Sequence, residues 1–201
     1  MKLFYTPGAC SMAVHIALNE AGVKYDLEKV DLQSKKTESG LDYVAINPKG
    51  YVPCLQLDNG EYLTEVGALL QYIADSNPAK NLLPAIGDAT RYRVLETANF
   101  ISTELHKNFG PLFNPATTDE ARKDQMELVG KRLDIVNSQL EGRDFLVGDQ
   151  FSIADAYLTT VLGWANFIKL DLAPWPNLGA YAGKMMSRPG VVATLKAEGM
   201  M

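Results

Sequence analysis

The chain has 201 residues, of which 47% are hydrophobic and 21% charged, a composition typical of a globular protein and unlike that of a disordered chain. Its 19 basic and 24 acidic residues give a net charge of −5. No basic run is longer than Lys35-Lys36, so neither a nucleic-acid partner nor an anionic membrane surface is expected. The length allows one domain or two small ones.

The cysteine count and the N-terminus predict where the protein works. Two cysteines are too few for a disulfide framework, and with only His15 and His106 beside them no four-ligand zinc spacing exists, so no metal is expected. A Pro-Gly pair at Pro7 and Gly8 leaves no room for a signal-peptide hydrophobic stretch. Nowhere do about 18 apolar residues run together. The sequence therefore predicts a cytoplasmic protein without a membrane span.

The first eighty residues mix strand and helix patterns. Lys2–Tyr5 is a short strand-like run, and from Ser11 apolar residues recur at helical spacing until Gly22. A second strand is predicted over 25–32. Further on, strand-like runs at 52–57 and 61–63 flank an Asn-Gly pair, which predicts a hairpin with a type I′ turn. A helix opening at residue 64 or 65 completes the module.

The remainder of the chain shows only helical periodicity after a linker between residues 77 and 87. One apolar stripe steps by four, three and four from Val94 to Leu105, and another runs from Met126 to Leu140. Residues 152–155 match a capping box. The Arg-Pro-Gly at 188–190 is expected to break the last helical stretch. We therefore predict an α/β domain over 1–80 and an all-helical domain over 87–201.

Cys10 is the first residue that could perform chemistry. It follows a Pro-Gly turn and stands where the first helical pattern begins, so its sulfur would face unpaired N–H groups and the positive end of the helix dipole, which favour thiolate. Ser11 beside it could cap the helix or donate a hydrogen bond to the sulfur. The alternative is a small buried thiol, and for Cys54, inside a strand-like run, burial is the favoured interpretation.

Val52-Pro53 is the second feature, because a proline inside a strand-like run suggests either a cis peptide bond or an edge strand. A cis bond would present the Val52 backbone to a peptide ligand. An ordinary edge-strand proline remains an equal alternative.

Polar residues supply the other candidates. On a helix, Asn99, Thr103 and His106 line up away from the apolar seam, and His106 could exchange a proton with a reactive cysteine, although a solvated face would look the same. Lys35 sits in a polar loop. Glu65 could receive an ammonium group at the start of the helix that follows the hairpin, where backbone N–H groups could bind a carboxylate, or it could simply be an acidic first turn.

Together these features resemble the glutathione transferase superfamily, specifically its bacterial beta class, over essentially the whole chain. The resemblance is carried by the order and spacing of several segments: 2–11 (KLFYTPGACS), 47–53 (NPKGYVP), 63–65 (LTE), 104–107 (ELHK), 152–157 (SIADAY) and 196–199 (KAEG).

The resemblance implies an α+β thioredoxin-like N-terminal domain of order βαβ-α-ββα, which binds glutathione, and an all-α C-terminal domain that contributes the electrophile pocket and dimer contacts. It implies a homodimer that conjugates glutathione to small hydrophobic electrophiles in detoxification. Apolar side chains such as Met12, Phe109 and Trp164 would receive the electrophile.

The resemblance also assigns roles to residues. Cys10 would contact the glutathione sulfur, with His106 as the second catalytic residue. The glutathione-binding set that it implies comprises Cys10, Ser11, Lys35, Val52, Pro53, Glu65, Val66, Asn99, Thr103, Glu104, Leu105 and His106. Asn99 would reach the partner subunit's ligand. Val66 departs from the small residue usual at its position, so a backbone contact survives there but a side-chain hydroxyl contact does not.

Two other functions stay open at this point. Cys10 could itself form a mixed disulfide with glutathione, which would make the protein a thiol–disulfide oxidoreductase, a peroxidase or a reductive dehalogenase; without a C-x-x-C pair, glutathione would resolve the intermediate. The third possibility is a non-catalytic protein that binds glutathione. The sequence does not identify the electrophile.

Overall fold

The computed structural model describes all residues, 1–201, and divides into two compact units. The first consists of Met1–Leu83 together with Arg188–Met201, and the second of Pro84–Ser187. The expected boundary was therefore wrong at one point, because the end of the chain belongs to the first unit and not to the helical domain predicted over 87–201.

The first unit contains a mixed sheet and its helices. Strand order is β3-β2-β1-β4-β5, in which β1 and β2 are parallel and every other pair is antiparallel. This confirms the predicted order βαβ-α-ββα, with a two-residue strand, β3, that was not foreseen. The elements are β1 (Lys2–Tyr5), α1 (Ser11–Ala21), β2 (Asp26–Asp31), β3 (Lys36–Thr37), α2 (Tyr43–Ile46), β4 (Cys54–Gln56), β5 (Tyr62–Thr64), α3 (Val66–Ser76) and a short 3₁₀ turn (Pro78–Lys80).

The last helix completes this unit. It spans Pro189–Ala197 and packs against α1, where the side-chain amide of Asn19 donates to the Thr194 hydroxyl at 2.8 Å. The break predicted at Arg-Pro-Gly is confirmed, since the preceding helix ends at Met186. The same proline also begins the new helix, because its missing N–H would have no partner in a first turn.

Glu198, just beyond this last helix, ties the end of the chain to its beginning. One carboxylate oxygen lies 2.8 Å from Nδ1 of His15, and the other accepts the Gly8 N–H at 2.8 Å. The side chains of His15 and Glu198 have no exposed surface. A buried charge of this kind is retained only where partners compensate its lost hydration, as both groups do here.

The hairpin between β4 and β5 forms as predicted, but its turn is of a different type. A type I′ turn requires positive φ at both central residues, and only Gly60 has it, at 87°. The Gly60 N–H donates to the Leu57 carbonyl at 3.0 Å, and the Leu57 N–H donates to Glu61 at 2.8 Å. The loop therefore has three residues and ends on a left-handed glycine.

The second unit is wholly helical. Helix α7 forms its centre, since all but three of its residues are buried, and the predicted capping box at its start is confirmed by a bond from the Ser152 N–H to Asp155 at 2.8 Å. None of the helices in the chain is both long and apolar enough to cross a membrane. The elements are α4 (Ala89–Phe100), a π-helical turn (Ile101–His106), α5 (Lys107–Phe113), α6 (Asp119–Gln139), α7 (Ile153–Phe167) and α8 (Pro176–Met186); the last helix of the chain is α9.

The π-helical turn between α4 and α5 changes one expectation. The sequence predicts an uninterrupted α-helix through residue 106, with 100° per residue. Instead the backbone hydrogen bonds widen, and the Lys107 N–H donates to the Ser102 carbonyl five residues back. Such turns are rare and are frequent at functional sites. Here the wider turn carries Glu104 and His106.

Candidate functional site

Three loops meet at one edge of the sheet in the first unit. Because β1 runs antiparallel to β4, and β4 to β5, the end of β1, the start of β4 and the end of β5 share that edge. Cys10 follows β1, Val52 and Pro53 precede β4, and Glu65 follows β5. The topology thus brings together four residues that the sequence separates by up to 55 positions.

Cys10 occupies the N-cap of α1 and is partly exposed. Its Sγ donates to the Val52 carbonyl oxygen at 3.2 Å. Val52 is joined to Pro53 by a cis peptide bond. The cis bond confirms one of the two alternatives for this proline. Because a carbonyl oxygen accepts but cannot donate, the sulfur of Cys10 is the donor in this contact. The thiolate that the sequence favours at this position stays a prediction.

Ser11 does not reach the sulfur. Its hydroxyl accepts the Thr6 N–H at 3.2 Å and donates to the Thr6 carbonyl at 3.3 Å, which fixes the turn between β1 and α1. The residue is 0% exposed. The expected helix cap and bond to sulfur are therefore wrong for Ser11, since its hydroxyl bonds Thr6 inside the turn. Its glutathione contact stays a prediction.

Two other groups near this edge are unsuited to thiol chemistry. Cys54 is fully buried, and burial raises the pKa of its thiol to about 11, which supports the structural role expected for it. Tyr5 lies at the end of β1, and burial, followed by the charges of Glu198 and Glu38, raises the pKa of its phenol. Neither group supplies an anion at neutral pH.

Glu65 is held in an unusual backbone conformation. Its φ of 75° is positive, which is uncommon for a residue with a side chain and marks functional sites more often than ordinary turns. It is the N-cap of α3, and its side chain makes no capping bond to the N–H groups of the first turn.

The side chain of Glu65 has partners that sequence reasoning missed. Lys49 approaches Oε1 at 2.5 Å and also bonds the Thr64 hydroxyl at 2.9 Å, and Tyr51 donates to the same Oε1 at 2.8 Å. Both residues belong to the loop of residues 47–53 that carries the cis proline. The sequence assigned this loop only a backbone role, so its side chains went unexamined.

Lys35 also contacts the loop of residues 47–53. Its ammonium donates to the Gly50 carbonyl at 2.7 Å, and its own φ is 57°. The predicted solvated lysine is therefore partly buried and anchored. Val66 begins α3 with its side chain in the core, 6% exposed, which leaves only its backbone N–H for a ligand.

The second unit places the remaining predicted residues on α4 and the π-helical turn. Asn99 and Thr103 are exposed, and the Thr103 hydroxyl donates to the Asn99 carbonyl at 3.1 Å. Glu104 pairs with Arg132 of α6 at 2.8 Å. Leu105 is 0% exposed, and its apolar side chain belongs to the core of the unit. Its glutathione contact stays a prediction.

His106 lies in a largely apolar environment. Its Nδ1 is 2.7 Å from the Tyr157 hydroxyl, and its ring packs edge-on against Trp164 at 4.8 Å between centroids. Burial, helped by the charge of Lys107, lowers the pKa of His106 to about 4. The imidazole is therefore neutral at pH 7 and acts as a hydrogen-bonding group, not as a cation.

The aromatic cluster around His106 also includes phenylalanines. Phe109 and Phe113 stack at 6.5 Å, and both contact Trp164 at 5.8 Å. Phe113 is 46% exposed, whereas Phe109 and Met12 are 0% and 3% exposed. Direct contact of the last two with an electrophile was therefore a wrong expectation, and Phe113 is the ring that this cluster offers to solvent.

The structure contains no group of three or more His, Cys, Asp or Glu side chains placed to hold a metal ion. The polar groups at the sheet edge instead suit a small zwitterionic peptide: a thiol, a backbone carbonyl, a carboxylate and a helix N-terminus.

Comparison with known proteins shows the family to which the chain belongs. The family model of the glutathione S-transferase N-terminal domain matches residues 8–76, and that of the C-terminal domain matches 100–189. The chain therefore belongs to the glutathione S-transferase family, and its enzymatic class is that of a glutathione transferase.

Individual relatives narrow the assignment. The chain is 48% identical to glutathione S-transferase GstA of Escherichia coli O157:H7 over the full length of both. A sphingomonad glutathione S-transferase complexed with glutathione is 52% identical, with a TM-score of 0.96 and 100% of both chains covered. The bacterial beta-class enzyme of Sphingomonas chungbukensis is 46% identical, again with a TM-score of 0.96 and full coverage of both chains. Within its family, the protein belongs to the bacterial beta class.

Proposed function

We propose that the enzyme transfers glutathione to small hydrophobic electrophiles and that Cys10 contacts the glutathione sulfur. The observation that carries this proposal is the meeting of the Cys10 thiol, the Val52 carbonyl and Glu65 at one edge of the sheet, with Cys10 and Val52 joined at 3.2 Å. A tripeptide with a central thiol can lie along such an edge and pair its backbone with that of Val52.

Each end of the ligand has a proposed partner in the first unit. The γ-glutamyl ammonium group would bind the Glu65 carboxylate, and the γ-glutamyl carboxylate would bind the N–H of Val66 at the start of α3. Lys35 would bind the glycyl carboxylate region. Pro53 contributes by fixing the direction of the loop from which Val52 contacts the ligand.

The second unit carries the other residues for which a ligand contact is predicted. We assign to Thr103, Glu104 and His106 the lining of the active-site side of their helix, and to Phe113 contact with the electrophile. Asn99 would reach the ligand of a partner subunit in a homodimer. The cytoplasm is the proposed location, because a glutathione-dependent reaction needs a reducing compartment.

The chemistry needs an anionic sulfur. A free thiol with a pKa near 8.5 to 9 is only a few per cent ionised at pH 7, and lowering that pKa by two units requires about 2.7 kcal/mol of selective stabilisation. A thiol donor at Cys10, turning from the Val52 carbonyl to the ligand sulfur, and the N-terminus of α1 together act in that direction. The sulfur then forms a bond to carbon of the electrophile, whose leaving group departs with the displaced electron pair.

The decisive experiment compares Cys10→Ala with Cys54→Ala. We expect Cys10→Ala to weaken glutathione binding or slow turnover with an aryl halide about tenfold, which corresponds to the loss of one charge-assisted hydrogen bond. Cys54→Ala should retain both glutathione binding and turnover when it is assayed at a temperature at which this variant is fully folded. Unchanged affinity and unchanged turnover in Cys10→Ala would refute the role of this thiol.

A redox activity is the second candidate, favoured by the partial exposure of Cys10. As thiolate, Cys10 would attack the glutathione sulfur of a substrate that carries glutathione in a mixed disulfide, releasing the substrate thiolate and forming a disulfide between Cys10 and glutathione; a free glutathione thiolate would then attack that disulfide, releasing Cys10 as thiolate and forming oxidised glutathione. Intact-mass analysis after incubation with oxidised glutathione tests this. A glutathione adduct on Cys10 and none on Cys54 supports the activity.

A further inference from the structure

Lys49 and Tyr51 form a cluster with Glu65 at the start of α3, and neither the sequence nor the family assignment gives these two residues a role. The ammonium of Lys49 lies 2.5 Å from Oε1 of Glu65 and 2.9 Å from the Thr64 hydroxyl, while the Tyr51 hydroxyl donates to the same Oε1 at 2.8 Å. The side chains of Lys49 and Glu65 are 44% and 54% exposed. The cluster is thus open to a ligand and is not a core ion pair.

The ammonium of Lys49 binds at the position that we assign to the ammonium group of the ligand. The Glu65 carboxylate is the partner proposed above for the γ-glutamyl ammonium, and an ammonium already bonds it. The bond to Glu65 is the main reason that the pKa of Lys49 is raised, so the group that bonds this carboxylate is an ammonium. Two ammonium groups at one carboxylate repel each other, so a ligand ammonium at Glu65 weakens the bond from Lys49 to Oε1.

A second observation indicates where Lys49 goes. The γ-glutamyl residue carries a carboxylate next to its ammonium, and at the start of α3 Val66 offers it a backbone N–H but no hydroxyl, because its apolar side chain is buried. Lys49 already bonds Thr64, two residues before Val66 in the chain. A small rotation of a flexible, half-exposed side chain is enough to exchange one carboxylate for the other.

We propose that Lys49 exchanges its ion pair with Glu65 for one with the γ-glutamyl α-carboxylate of the ligand, so that Lys49 and Glu65 together recognise an α-amino-acid zwitterion. This inference rests on the proposed function and extends it to a specificity residue. Tyr51 keeps its bond to Oε1 during the exchange and holds the Glu65 carboxylate in place for the ligand ammonium. The site then selects peptides that carry both charges on one α-carbon.

The test compares Lys49→Met with wild type on two peptides by isothermal titration calorimetry. One peptide is glutathione, and the other is γ-aminobutyryl-Cys-Gly, which keeps an ammonium and the thiol but lacks the α-carboxylate. Lys131→Met is the control, because it removes another exposed lysine with a carboxylate partner, Glu127, at 2.8 Å on α6. Thermal unfolding of each variant shows that it is folded.

We expect Lys49→Met to weaken glutathione about three- to tenfold, the range for a partly exposed charge-assisted bond, and to change the second peptide less than twofold. Lys131→Met should behave as wild type with both. Tighter binding of glutathione by Lys49→Met would show that Lys49 only competes, and equal weakening of both peptides would show that it only orients Glu65; either result overturns the proposal.

The outcomes also separate this inference from the proposed function. Wild type that fails to bind glutathione refutes both. Wild type that binds glutathione, with a Lys49→Met variant that does not distinguish the two peptides, refutes only the role of Lys49.

Discussion

His106 shows at the scale of one residue how burial sets a chemical role. The sequence suggested a histidine that trades protons with a thiol, and the structure instead surrounds the ring with Tyr157 and Trp164 and lowers its pKa to about 4. At neutral pH such a group orients a ligand by hydrogen bonding. It contributes no positive charge to stabilise a thiolate.

The charge state of His106 predicts a pH dependence of stability. The unfolded imidazole, with a pKa near 6.5, binds a proton more tightly than the folded one, so stability falls as the pH drops from about 6.5 towards 4. Between pH 7 and pH 5 this residue should cost about 2 kcal/mol of unfolding free energy. Urea denaturation of wild type and His106→Asn at both pH values measures it.

The expected result is a loss between pH 7 and pH 5 that is about 2 kcal/mol larger in wild type than in His106→Asn. The two proteins differ only at residue 106, so the contributions of all other groups cancel in the comparison. Equal losses in the two proteins would mean that the ring of His106 is as easily protonated in the folded state as in the unfolded chain.

The sequence predicted the position of a functional residue where a local backbone pattern determines it. It did not predict which distant residue a side chain bonds. The Pro-Gly turn before a helix placed Cys10 at an N-cap, and a proline in a strand suggested the cis bond at Pro53. Nothing local indicates that the Ser11 hydroxyl bonds Thr6 or that Lys49 reaches Glu65 across 16 residues. Those bonds exist because strand pairing brings distant loops to one edge.

At the scale of elements, the hairpin between β4 and β5 was predicted, but its turn type was not. Asn-Gly permits two geometries: both residues with positive φ, or a three-residue loop in which only the glycine has it, and the structure has the second. The choice depends on the register of the strands, Leu55 opposite Leu63, which the turn sequence does not contain.

Gly60 is therefore the turn residue that tolerates substitution least. A side chain at its φ of 87° is strained, although nothing lies within 4 Å of the position of a Cβ there, so Gly60→Ala should cost about 1 kcal/mol. Gly183 is the control, because it also has open space but lies inside helix α8, where alanine should stabilise by about 1 kcal/mol. Urea denaturation of both variants should give effects of opposite sign; destabilisation of the same size by both would contradict the backbone explanation.

The π-helical turn could not be predicted from the sequence. Its residues fit the apolar stripe from Val94 to Leu105 well, and Ile101 and Leu105 are indeed buried. A single wider turn changes the direction of the polar residues beside that stripe while leaving its apolar members in the core. Periodicity therefore located the helix and its buried face but could not fix the direction of Glu104 and His106.

The start of α7 provides a sharper stability prediction. The buried carboxylate of Asp155 accepts the N–H groups of Leu146 and Ser152 and the hydroxyl of Tyr181, at 3.0, 2.8 and 2.9 Å. Asp155→Ala leaves these donors without a partner and should cost about 3 kcal/mol. Asp119→Ala, in the exposed first turn of α6, should cost less than about 1 kcal/mol. Chemical denaturation distinguishes them; similar costs would argue against a cap that joins several elements.

At the scale of the whole molecule, the division of the chain was predicted in outline and wrong at its end. Helical periodicity cannot tell which unit a helix packs against, and α9 resembles the helices before it. The decisive contacts are side-chain bonds between residues about 180 positions apart, from Asn19 to Thr194 and from Gly8 and His15 to Glu198. No local pattern contains them.

Replacement of Glu198 tests how much these long-range bonds contribute to the unfolding free energy. Glu198→Ala leaves the His15 ring and the Gly8 N–H buried without their acceptor, and should lower the unfolding free energy by about 3 kcal/mol. Lys196→Ala, exposed on the same helix, should change it by less than about 0.5 kcal/mol. Urea denaturation provides the values, and a similar cost for both would mean that α9 is held by its apolar face alone.

The return of the last residues to the first unit has a consequence for synthesis. On the ribosome the N-terminal sheet emerges early, yet the carboxylate that accepts the Gly8 N–H is translated 190 residues later, and a nascent chain of 187 residues still lacks it. Domains usually fold in the order in which they leave the ribosome. Here the loop that carries Cys10 acquires this anchor only after the whole helical unit has been synthesised, so a product truncated before Glu198 lacks it.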